Sequence, residues 1–182
     1  DTDRSRGLGD VYKRQVQTSS TAQNMLNNFQ ETVKIYQQGK AYYDALKSVH
    51  DLVKGARKVQ QTILLVGDIS DIYVTNFNTM MGDPNFTVEE LSAIAFGYNR
   101  LLEESSNLLL DLKEVTTATG LSMTDKERLD IINRIYGEVL EYKNLTWYYT
   151  RKNIGISYLR SKKKGDSQRV LALYGTHDQR YW

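Results

Sequence analysis

Two histidines, His50 and His177, are the first places to look for general-base or metal chemistry in this chain. Neither stands at ligand spacing from carboxylates: there is no His-Glu-x-x-His, and no Glu-x-x-His of the kind that builds di-iron sites inside helix bundles. His50 reads instead as a polar residue on a helix face. With no cysteine in the chain, thiol catalysis, disulfides and thiolate-held metal are excluded. Acidic pairs occur at Glu89-Glu90, Glu103-Glu104 and Asp125/Glu127. Neighbours on a helix point about 100° apart, so an adjacent pair is divided between faces and forms no shared acid/base site. Gly7-Leu-Gly9 lacks the third glycine of a phosphate-binding fingerprint, and no Walker-type lysine follows a glycine loop. The residues point to no reaction, no small-molecule substrate and no cofactor.

The other chemically loaded stretch is basic and aromatic. From Lys143 onward there are nine Lys or Arg against only Asp166 and Asp178, a charge of +7. Residues 16–142 carry −6, so an acidic body meets a basic end within a chain of net charge +2. Trp147, Tyr148, Tyr149, Arg151, Lys152, Tyr158, Arg160, Lys162, Lys163 and Lys164, with the terminal Tyr181 and Trp182, form the candidate interaction surface. Bases interleaved with aromatics suit a phosphate backbone, but +7 is modest for that purpose. An acidic protein, a lipid surface or the acidic body of a neighbouring copy would serve equally, and the aromatics could also be bundle core under a solvated lysine cap. Thirteen tyrosines against four phenylalanines favour surfaces that meet partners.

The elements that must position these residues are helices. From Val16 to Met81 there is no proline, and Leu26, Phe29, Val33, Tyr36, Tyr43, Leu46, Val49, Val53, Ala56, Val59 and Ile63 return at three- and four-residue spacing. Unbroken, such a helix would reach about 95 Å, a coiled-coil-like arm. Gly67-Asp68 followed by Ser70-Asp71 is the expected break, with Gly55 second. The only proline, Pro84, sits in a turn, Met80-Met-Gly-Asp-Pro-Asn-Phe86. Thr87-Val-Glu-Glu90 then has capping-box spacing and opens a helix with Leu91, Ile94, Ala95, Tyr98, Leu101, Leu102, Leu108, Leu109, Leu112 and Val115 on its apolar side. A second box, Thr124-Asp-Lys-Glu127, opens a helix with core residues Leu129, Ile132, Ile135, Tyr136, Val139, Leu140 and Tyr142, and Lys164-Gly165 should interrupt the helical texture of the C-terminal segment. No two-residue alternation persists. The expectation is an all-α fold of four to six helices: an arm over 16–81, packed on or extending from a bundle over 82–182 that ends in the basic aromatic segment.

Residues 1–15 have no helical period, and their tail Gly7-Leu-Gly-Asp-Val-Tyr-Lys-Arg-Gln15 resembles sequencing-adapter read-through, so they are set aside as non-native. On that reading the native start, with any export signal, is missing. No apolar run approaches the roughly 18 residues of a membrane span, although contact with a membrane surface stays open.

Four blocks together resemble one family: Ala56–Val74, Asp83–Tyr98, Leu121–Ile132, and the segment from Tyr148 through Lys164-Gly165-Asp166 to Arg180-Tyr-Trp182. It is the small TraI-type transfer protein of conjugative transposons in Bacteroides and relatives, distinct from the relaxase that shares the name. That family is more distantly similar to TrbJ and to minor-pilin proteins of type IV secretion systems. The resemblance implies an exported, periplasmic or cell-surface, non-enzymatic component of the mating-pair apparatus. It would act through helix-mediated assembly with other secretion or pilus proteins or with itself. The alternative from the residues alone is a cytosolic DNA-processing accessory that uses the basic aromatic end.

Overall fold

The structure, a computed structural model, describes residues 24, 41, 55–117 and 123–175. Among them are four helices and no strand: α1, Ala56–Met81; α2, Val88–Thr117; α3, Asp125–Lys163; and α4, Ser167–Tyr174. The fold is all-α. His50, His177, Tyr181, Trp182, the tyrosine pair at 42–43, most of the expected arm and residues 1–15 lie outside the described residues. The described part of that arm, Ala56–Met81, is one wall of the bundle.

One boundary differs from expectation. Gly67 does not break the helix: it is buried in the middle of α1, while α1 starts after Gly55. A helical glycine loses about 1 kcal/mol relative to alanine. Here its neighbours Val66 and Ile69 are each 1% exposed, and burying two such side chains outweighs that loss. Asp68, the other expected breaker, is held by Lys143 of α3 at 2.9 Å. Gly55 has φ +113°, a left-handed conformation that side chains rarely adopt, and its carbonyl accepts from the amides of Lys58 and Val59.

The other punctuation falls as the sequence implies. Thr87 and Glu90 exchange hydrogen bonds of 2.9 and 3.2 Å, and Thr124 and Glu127 do the same at 2.8 and 3.2 Å, so both capping boxes are formed. At the end of α3, Gly165 (φ +71°) donates to Lys162 O and Asp166 to Ser161 O. Those two bonds constitute a Schellman stop and turn the chain into α4.

The core has two ends. At one, α1, α2 and α3 bury aliphatic residues, among them Val59, Val66, Ile69, Leu102, Leu112, Ile132, Ile135 and Val139. At the other, Tyr73, Phe77, Met80, Phe86, Ile94, Tyr98 and Ile154 are buried, with Tyr149 and Tyr174 packed against them. Tyr98 is the centre of that aromatic end. It stacks on Tyr73 at 4.8 Å, meets Tyr149 edge-on at 4.9 Å, and shares a 2.6 Å hydrogen bond with Thr150. Burial pushes the Tyr73 phenol up to about 12, and raises Tyr98 further in the same direction.

Candidate interaction surface

From Tyr142 to Gly165 the chain contains no acid, and all but its last two residues lie in α3. The inward face of this half-helix is mostly polar and small: beside Ile154, the buried side chains include Thr146, Thr150, Asn153, Ser157 and Ser161. Thr146 and Thr150 satisfy their hydroxyls on carbonyls one turn back, and Asn153 does so with its amide. That leaves Ser157 for a longer reach.

Ser157 donates to Asp83, a carboxylate only 2% exposed in the α1–α2 turn. Asp83 also accepts from the Tyr174 hydroxyl of α4 at 2.7 Å and from the Asn85 amide at 2.9 Å. Asn85 in turn donates its side-chain amide to Ser157 Oγ at 3.1 Å. One buried side chain thus joins the turn, α3 and α4 through three donors, which satisfies its buried oxygens. Burial, then the Asp83 contact, raises the Tyr174 phenol well above its ordinary value. With the Ser157 hydroxyl fully buried and donating to Asp83, the network clamps the α1–α2 turn to α3 and α4.

Beside the clamp, Arg160 forks onto both oxygens of Glu90 at 2.6 and 2.8 Å and donates to Asn85 O at 2.7 Å. The Arg160 bonds, and then the Thr87 amide, lower the Glu90 carboxyl to about 2. The Glu90 bonds raise Arg160 correspondingly.

The expected surface residues therefore divide. Tyr149 is turned inward, its hydroxyl on Ile94 O at 3.0 Å and its ring on Tyr98. Arg160 is engaged with Glu90, and Lys164 reaches Asn85 Oδ1 at 3.3 Å. Trp147 and Tyr158 are half-buried. Tyr148, Arg151, Lys152, Lys162 and Lys163 face outward, with Lys152 Nζ 5.4 Å from the centre of the Tyr148 ring. Interleaved with them are large apolar residues that the basic and aromatic pattern did not single out: Leu145, Ile156 and Leu159, exposed at 47%, 42% and 57%. At 3.6 residues per turn all of these lie on one outer arc of α3. Their 3–4 spacing was visible in the sequence. The inward stripe of Thr, Asn and Ser, equally regular, was the available signal that the outer residues are not core.

Among the described residues no three His, Cys, Asp or Glu side chains come together to hold a metal ion, and no helix is long and apolar enough to cross a membrane. No protein-family model, no curated protein and no solved structure matches this chain.

Proposed function

We propose that the protein is a non-enzymatic structural or adhesive component of a conjugative type IV secretion apparatus, exported to the periplasm or cell surface and acting by helix-mediated assembly. The observation that carries this reading is the division of labour in α3. Its inner polar groups are consumed in bracing the bundle, while its outer face presents Leu145, Tyr148, Ile156 and Leu159 to solvent among basic side chains. Large apolar side chains grouped on one helix face are a feature of contact surfaces. The block resemblance to transposon transfer proteins supplies the setting. Deleting the gene from an otherwise intact element should abolish mating while DNA nicking continues, and transfer at the normal frequency would refute the proposal.

A second reading is favoured by one feature, the outward cations Arg151, Lys152, Lys162 and Lys163. A DNA-processing accessory would bind duplex DNA with an affinity that falls steeply with salt, and the charge-reversing triple Lys162→Glu, Lys163→Glu, Lys164→Glu would abolish it. No binding at low salt eliminates this reading.

A further inference from the structure

Two outer faces of the bundle match each other. On α2, Glu89, Phe96, Glu103 and Leu110 follow at seven-residue intervals and are all exposed, Phe96 at 69% and Leu110 at 61%. On α3, Leu145, Lys152 and Leu159 also follow at intervals of seven, and all are exposed. Residues seven apart lie nearly above one another on a helix, drifting by only about 20° per heptad. Each face thus has two apolar anchors about 21 Å apart with one charge midway. The midway charge is acidic on α2 and basic on α3.

The surroundings carry the same signs. α2 holds six acids against Arg100 and Lys113, and the second half of α3 holds no acid. Neither Glu103 nor Lys152 is engaged in an ion pair among the described residues.

We propose that these faces are the two halves of a contact between copies of this chain. Phe96, Glu103 and Leu110 of one copy pack against Leu145, Lys152 and Leu159 of the next, with Glu103 opposite Lys152 and Tyr148 and Ile156 flanking the seam. The occupant is a second copy because this chain itself carries the complementary charge at the matching spacing. Paired α3 faces would set Lys152 among a partner's bases, and paired α2 faces would set acids against acids. Two helix faces of this length lie at the small end of specific interfaces, so association falls in the micromolar range and weakens with salt. The inference rests on the bundle, not on the secretion reading; a monomeric protein would leave that reading with a different partner.

Sedimentation of the full chain at low and high salt tests it by charge exchange. Wild type should exceed the monomer mass at low salt. Glu103→Lys and Lys152→Glu, both at exposed positions, should each weaken association about tenfold or more, since each replaces an attraction by a repulsion. The double variant should restore it. An equimolar mixture of the two single variants should also associate through contacts between unlike copies, where the two mutated faces attract each other and so do the two unmutated ones. Phe96→Ala and Leu159→Ala should each dissociate the wild type, with helicity by circular dichroism unchanged. A wild type that stays monomeric through the micromolar range, or a double variant no better than the singles, overturns the proposal. So does a monomer recruited by phosphatidylglycerol vesicles through Lys152, which would identify the face as a lipid-binding one.

Discussion

Gly97 on α2 tests the packing of the aromatic end more sharply than any core truncation. A Cβ at this position would stand 2.2 Å from the Tyr149 hydroxyl oxygen and 2.5 Å from its Cζ. Neither distance is tolerable, so Gly97→Ala must move the Tyr149 ring by more than an ångström. The ring is not free to swing: its hydroxyl donates to Ile94 O and its edge contacts Tyr98. Losing the hydrogen bond costs about 1 kcal/mol, and weakening the aromatic pair about 0.5–1.5 kcal/mol. Against this, alanine is a better helix former than glycine by about 1 kcal/mol. The expected net effect is destabilisation by roughly 1–2 kcal/mol once the displaced phenol's partial loss of packing is included. In a Tyr149→Ala background the obstruction is gone, and the same change should stabilise by about 0.5–1 kcal/mol. Urea unfolding of the four proteins, followed at the helical band, gives both differences and a coupling of about 1.5–3 kcal/mol. A Gly97→Ala protein that is more stable than wild type, or an equal effect in the two backgrounds, would refute the packing argument.

The Glu90–Arg160 pair should show in the pH dependence of stability. Because the folded carboxyl is lowered to about 2 from 4.5, its contribution is present above pH 4.5 and is lost as pH falls towards 2. Both partners are more than a third exposed, so Glu90→Gln should cost only about 1 kcal/mol at neutral pH, and the difference from wild type should close over that acid range. Asp83→Ala strands the Ser157 and Tyr174 hydroxyls and the Asn85 amide and should cost about 3 kcal/mol or more in urea unfolding. Two further glycines should respond oppositely: Gly55→Ala, at φ +113° and 3.1 Å from Leu129 Cδ1, should destabilise by about 1–2 kcal/mol. Gly137→Ala, inside α3 with nothing within 4 Å, should stabilise by about 0.5–1 kcal/mol in the same assay.

Much of the bundle was legible because its signals are local. Thr87, Glu90, Thr124 and Glu127 meet across a single helical turn, so their spacing alone implies the bonds they make. The apolar sides of α2 and α3 were readable from period, and Tyr98, Leu112, Ile132, Ile135 and Val139 are buried as that period requires. Gly67 was misread for the opposite reason. Its local chemistry favours a break, and only the burial of Val66 and Ile69 against other helices overrides it.

The candidate surface divides along the same line. Composition and spacing determined that the segment from Lys143 onward is basic and aromatic, and that its stretch up to Lys163 is helical, and those properties belong to the chain itself. They could not say that Tyr149 turns inward onto Tyr98, that Arg160 is held by Glu90, seventy residues earlier, or that Asp83 gathers Ser157 and Tyr174. Nor could they say that Leu145 and Leu159 stay outside. Every residue on a helix has the same local neighbours whichever way it faces. Which arc of α3 is core was decided by α1, α2 and the α1–α2 turn closing on its stripe of Thr, Asn and Ser, with the α4 hydroxyl of Tyr174 meeting that stripe at Asp83. The outer arc was left apolar and basic because the small polar residues allow close approach with every hydrogen bond satisfied.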